Sequence, residues 1–192
     1  MFKVTKLIHL VADEDGSAAA SLAVRLRKVA APRTRRVLVT PTLPGGINGG
    51  DVLAHLQFDD ESDWRAVEPD VAEQLSVPEV GHVDSVGYAG VQTPAARVFE
   101  PAVYRTLLVS VDDSADPAVV EQFESETRAM PDYIRTIGTS QLSRVHDSAG
   151  SARWTHVWEQ EYADLGGLSG PYMTHPYHWA HIDRWFDPER GP

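Results

Sequence analysis

The chain has 192 residues, of which 42% are hydrophobic and 8% aromatic, enough for one ordinary domain or two small ones with a buried core. Its formal net charge of -11, from 28 acidic and 17 basic side chains, argues against nucleic acid or an anionic membrane as a main partner, because neutralising phosphates takes clustered Lys and Arg. The absence of cysteine excludes disulfides, thiolate metal sites and cysteine nucleophiles.

No apolar run approaches the roughly 20 residues of a membrane span. The apolar N-terminal stretch is cut short by Asp13, Glu14 and Asp15, so a signal peptide is not expected and a cytoplasmic location is the default reading. In chain order, alternation predicts a strand over residues 3–12, and an Ala/Leu/Val-rich helix follows from Ser17 to Ala30. A strand over 35–40 leads into Pro44-Gly-Gly-Ile-Asn-Gly-Gly50, which lacks the Lys-Ser/Thr of a phosphate loop and reads as a long hairpin turn. A strand at 51–58, a helix at 62–75 and a strand at 83–91 complete the first half. The basic run Arg25, Arg27, Lys28, Arg33, Arg35 and Arg36 reads as a solvated helix end.

The second half repeats the order. A strand at 103–111 precedes a helix capped by Asp116-Pro117, which the sequence ends near Met130 because Pro131 follows. Strands are expected at 134–145 and 153–161, with a turn at 147–150 between them. Residues 170–181 read as helix or loop, and 182–186 as a short terminal strand. Short matches support duplication: Ala54-His55-Leu56 with Thr155-His156-Val157, His82-Val83-Asp84 with His181-Ile182-Asp183, and Val77-Pro78-Glu79-Val80 with His175-Pro176-Tyr177-His178. The expected domains are therefore residues 1–92, a degenerate structural repeat, and 101–192, a pocket-bearing repeat, joined by a linker over 92–101. The β-α-β-β-α-β order is the ferredoxin-like unit. The expected fold is α+β, with tandem ferredoxin-like repeats packed sheet to sheet as an intrachain α+β barrel, either a monomeric pseudo-dimer or a homodimer.

The candidate chemistry lies near the C-terminus. His175, His178 and His181 fall at three-residue intervals, amid Tyr172, Tyr177, Trp179, Trp185 and Phe186. Solvated histidines at a helix start are one reading. An aromatic small-molecule pocket with a few polar groups is the other. On the strand before, alternation sets Trp154, His156 and Trp158 on one face, either as core or as a pocket wall.

Thr155-His156-Val157 on a strand, followed by Tyr172-x-x-His175-Pro176-x-His178, resembles the stress-responsive A/B-barrel (Dabb) domains of the dimeric α+β barrel superfamily, whose enzyme branch includes olivetolic acid cyclase-type proteins. The resemblance is good over 101–186 and faint over 1–91. It implies that His178 is a general base aided by Tyr172 in an aldol closure of a linear polyketide, and that His156 lines the same cavity. Arg105 stands where the cyclases have a first-strand histidine. His175, Trp158, Arg105 and Trp179 complete the expected substrate wall, and His55 is the residue that the first repeat retains.

Three functions follow as expectations. The first is a cofactor-independent lyase or cyclase acting on a hydrophobic, carbonyl-bearing molecule. The second is a stress-associated binding domain without chemistry. The third is a metal or haem site built on His175, His178 or His181, with Asp183 and Glu159 assisting.

Overall fold

The structure is a computed structural model that describes residues 1–91, 93–94 and 99–187. The expected linker over 92–101 falls largely outside the described residues. The chain forms two compact units, one of Met1–Gly90 with Val145–Trp154, the other of Val91–Arg144 with Thr155–Pro192.

In the first unit, strand β1 (Phe2–Leu10) is followed by helix α1 (Ser17–Ala30), strands β2 (Arg36–Pro41) and β3 (Val52–Phe58), helix α2 (Glu61–Leu75) and strand β4 (Val80–Ala89). The sheet is antiparallel, in the order β2-β3-β1-β4, which is the ferredoxin-like arrangement. Helix α1 starts where the Asp13 carboxylate accepts hydrogen bonds from the amides of Ala18 and Ala19, and α2 where Asp60 accepts from Asp63. Ala19, Leu22, Ala23, Leu26 and Ala30 make the buried stripe of α1. They pack on Val4, Ile8, Ala54, Leu56 and Phe58 of the sheet, together with Trp64, Val67 and Val71 of α2.

The second unit contains strand β5 (Thr93–Pro94), strand β6 (Val103–Val109), helix α3 (Pro117–Tyr133), strand β7 (Ile137–Ala149, whose last residues belong to the first unit) and strand β8 (His156–Tyr162). Both β6 and β7 pair antiparallel with β8. Asp116 caps α3 by accepting from the Ala118 amide, as the sequence predicts. Pro131 does not end the helix. It sits in the last turn, where its missing N–H removes a single bond, and Ile134 N still donates to Met130 O.

Two further expectations about this half are corrected. Strand β7 runs on to Ala149 instead of turning at 147, because its end pairs with Ser85–Tyr88 of β4 in the first unit. The turn is made at Gly150 (φ 128°), where a Cβ would collide with the backbone and carboxylate of Asp84. Residues 182–186 form no strand: 178–182 and 183–185 are helical turns. Glu126 of α3 holds this segment, accepting from Arg184 at 2.6 Å and from the Trp185 indole at 3.0 Å.

The proposed match of His55 with His156 also fails on geometry. Ala54 and Leu56 face the helices, so His55 faces the other way, where its ring meets Thr5 (3.0 Å) and Gln57 (2.9 Å). His156 faces α3. A one-residue offset on a strand exchanges faces. No helix among the described residues is long and apolar enough to cross a membrane.

Candidate functional site

Every residue of β8 is buried, and alternation divides them cleanly. His156, Trp158, Gln160 and Tyr162 share one face. Trp158 and Tyr162 pack with Phe123, Met130, Tyr172 and Ile182 between the sheet and the helical segments. Trp154 precedes the strand and points elsewhere, its indole N–H donating to Asp84 in the first unit.

Tyr172, 1% exposed, lies at the centre. Its ring is 4.6 Å from that of His178, 5.7 Å from Tyr162 and 6.5 Å from Trp158. The Arg105 guanidinium sits 5.1 Å from the Trp158 ring centre and 5.4 Å from that of Tyr172. Arg105 also donates to Gln160 Oε1 at 3.0 Å, the same oxygen that receives the Tyr162 hydroxyl at 2.9 Å. The polar atoms buried here without a hydrogen-bond partner among the described residues include the Tyr172 hydroxyl and Gln160 Nε2. An unpaired buried polar group costs about 1–3 kcal/mol. Two in one cluster therefore mark a place where a ligand's acceptors would be favoured.

His178 is 6% exposed, and its Nδ1 lies 3.2 Å from Asp183 Oδ1, close but poorly aligned for a hydrogen bond. Burial pulls its pKa down, Asp183 pulls it up and Arg105 pulls it down again, leaving it below its ordinary 6.5. The imidazole is then neutral near pH 7. A proton on Nδ1, facing Asp183, leaves the Nε2 lone pair as a base. Tyr172 is shifted the other way: burial raises its pKa, Arg105 lowers it and Asp183 raises it, for a net increase. It stays a hydroxyl, able to donate.

The other expected site residues are placed differently. His156 is 3% exposed and uses both ring nitrogens: Nε2 is 3.0 Å from Glu124 Oε1, and Nδ1 is 2.9 Å from Thr155 Oγ1. His175 caps the following turn, its Nδ1 accepting from the Tyr177 amide at 3.1 Å. Trp179 is 58% exposed and donates to the Met173 carbonyl. His181 stacks on Tyr177 and lies 3.5 Å from Glu126. Thus Tyr172, His178, Arg105 and Trp158 converge, whereas His156, His175 and Trp179 are committed to other partners. The three motif histidines diverge toward Tyr177, Asp183 and Glu126, and among the described residues no group of three His, Asp or Glu side chains could hold a metal ion.

Four residues with roles here escaped the sequence reading. Gln160 is one further step along the alternation that singled out His156 and Trp158, so the signal was present. Asp183 had been considered only as a metal ligand. Glu124 and Glu126 have local partners in Arg128 and Gln122, but the partners that matter here lie on β7, β8 and the C-terminal segment.

Residues 103–190 match the family model of the Stress responsive A/B Barrel Domain. Among solved structures, a candidate monooxygenase from Lactobacillus acidophilus NCFM is 16% identical, with a TM-score of 0.55 over 97% of this chain and 87% of that one. An anthrone oxidase-like protein is 10% identical, with a TM-score of 0.59 over 91% and 78%. Chlorite dismutase from Candidatus Nitrospira defluvii in complex with imidazole is 11% identical, with a TM-score of 0.52 over 90% and 80%. These likenesses bear on fold alone. A comparison with curated proteins gives no match. Residues 103–190 of this chain thus match the stress-responsive A/B barrel domain, and the solved structures share its α+β fold.

Proposed function

We propose that this chain binds a hydrophobic, carbonyl-bearing small molecule and acts on it as a cofactor-independent lyase or cyclase, with His178 as general base. On this reading the repeat at 101–192 carries the site and the repeat at 1–92 is its structural partner. His178 Nε2 takes a proton from the carbon next to a carbonyl, and the Tyr172 hydroxyl donates to the carbonyl oxygen as negative charge develops there. In a cyclisation, the resulting carbanion attacks a second carbonyl of the same molecule and the proton returns to the new alkoxide. The observation that carries the reading is the pair itself: a buried histidine whose Nδ1 lies 3.2 Å from Asp183, its ring centre 4.6 Å from that of a tyrosine whose hydroxyl has no partner among the described residues.

The test is solvent-deuterium uptake at the α-carbon of an aryl alkyl ketone, followed by NMR. The His178→Ala variant is expected to lose about 10²- to 10⁴-fold in rate, and Tyr172→Phe to lose less. Equal uptake by wild type and His178→Ala defeats the proposal. Ligand binding with no uptake by either protein favours a binding domain without chemistry, a reading supported by the commitment of His156 to Glu124 and of His175 to the Tyr177 amide. Oxygen consumption coupled to uptake would instead favour an oxidase-type fate for the same carbanion, as the names of two structural neighbours suggest.

A further inference from the structure

We infer that Arg105 and Gln160 are the specificity-determining head of the Tyr172–His178 site and select ligands that carry a carboxylate on a planar, aromatic or conjugated body. This inference rests on the reading of that cluster as a ligand site, and adds the charge and shape of what enters it.

In a chain of net charge -11, a half-buried arginine would be expected to find an acidic partner. Arg128 and Arg144 both pair with Glu124, and Arg184 pairs with Glu126. Arg105 has no carboxylate within ion-pair distance among the described residues, and its one hydrogen bond runs to the neutral Gln160. Its positive charge is therefore uncompensated at close range, beside rings that exclude water. A guanidinium offers five N–H donors in a fixed fork that suits the two oxygens of a carboxylate.

Gln160 supplies the second, independent observation. Its side chain is fully buried. Because Arg105 can only donate, the amide oxygen must face Arg105 and Tyr162, and this fixes the NH₂ group on the other side. That NH₂ group has no partner among the described residues, and neither has the Tyr172 hydroxyl. A guanidinium, an amide NH₂ and a phenol O–H thus stand in one cluster of donors, and Asp183 lies 3.2 Å from His178 Nδ1. Such a set is complementary to an anionic oxygen pair. The faces of Trp158 and Tyr172, each within 5.4 Å of the guanidinium carbon, suit a flat ligand body.

The experiment is calorimetric titration of the full chain with 2-naphthoate and with its uncharged isostere 2-naphthamide. Wild type is expected to bind the carboxylate at least about tenfold more tightly than the amide. In Arg105→Gln the preference for the carboxylate should vanish, Arg105→Lys should retain part of it, and Gln160→Leu should weaken the carboxylate selectively. Far-UV circular dichroism and thermal melting establish that each variant is folded. Equal affinity of wild type for the two probes overturns the inference, as does an unchanged preference in Arg105→Gln, or no binding of 2-naphthoate at millimolar concentration. Failure here leaves the chemistry of His178 standing if deuterium uptake into the neutral ketone still depends on that residue. A carboxylate preference that persists in His178→Ala, with no uptake by wild type, sinks the catalytic reading and spares this one.

Discussion

Removing the charge of Glu124 should destabilise the second unit by an amount that depends on pH in a defined way. Glu124 is 6% exposed and receives Arg144 Nε at 2.6 Å, Arg128 at 3.1 Å and the His156 ring at 3.0 Å. Burial alone would raise its pKa. The hydrogen bonds from Arg144 and His156 and the charge of Arg128 outweigh burial and bring it from 4.5 to about 2. A difference of about 2.5 pKa units is worth roughly 3 kcal/mol. Because Arg144 and Arg128 are themselves 64% and 50% exposed, screening trims this to about 2–3 kcal/mol.

The folded pKa is depressed, so this stability is fully present above about pH 4.5, the unfolded value, and is lost as pH falls through about 2. Urea unfolding of wild type and Glu124→Gln provides the assay. At pH 7 the variant should be less stable by about 2–3 kcal/mol, and at pH 3 the gap should shrink by more than half. A gap that is equal at the two pH values, or below about 0.5 kcal/mol at pH 7, would refute the claim that ionised Glu124 organises this network.

Two further outcomes are expected. Glu126→Ala removes the acceptor of Arg184 and Trp185, so hydrogen exchange and limited proteolysis should quicken across 165–187 more than in α3, with about 1–2 kcal/mol lost overall. Because burial holds the His178 pKa below 6.5, any His178-dependent rate should be level near neutrality and fall only on acidification, with a midpoint below 6.5; Asp183→Asn should move that midpoint lower still, which a pH–rate profile would read.

Local chemistry alone made much of the fold legible. The Ala/Leu stripe of α1, the Asp116-Pro117 start of α3 and the alternation of β8 each depend on neighbours a few residues away, and the βαββαβ order of the first half follows from patterns of the same kind. The same local patterns picked out Tyr172, His178 and Trp158.

Whatever depended on distant partners was not legible. Strand β7 is extended by β4, and 182–186 become helical because Glu126 captures Arg184 and Trp185. His55 and His156, alike in sequence, take opposite faces because strand register is set by long-range pairing. The choice among the histidines is of the same kind. The sequence by itself determined that histidines and aromatics would stand close along the chain. Only the tertiary structure decided that His156 pairs with Glu124 and that His181 lies 3.5 Å from Glu126, leaving His178 beside Tyr172 and the ring of Tyr172 beside Arg105. For His156 the physical reason is that a buried imidazole must satisfy its nitrogens, and the carboxylate that does so lies on α3.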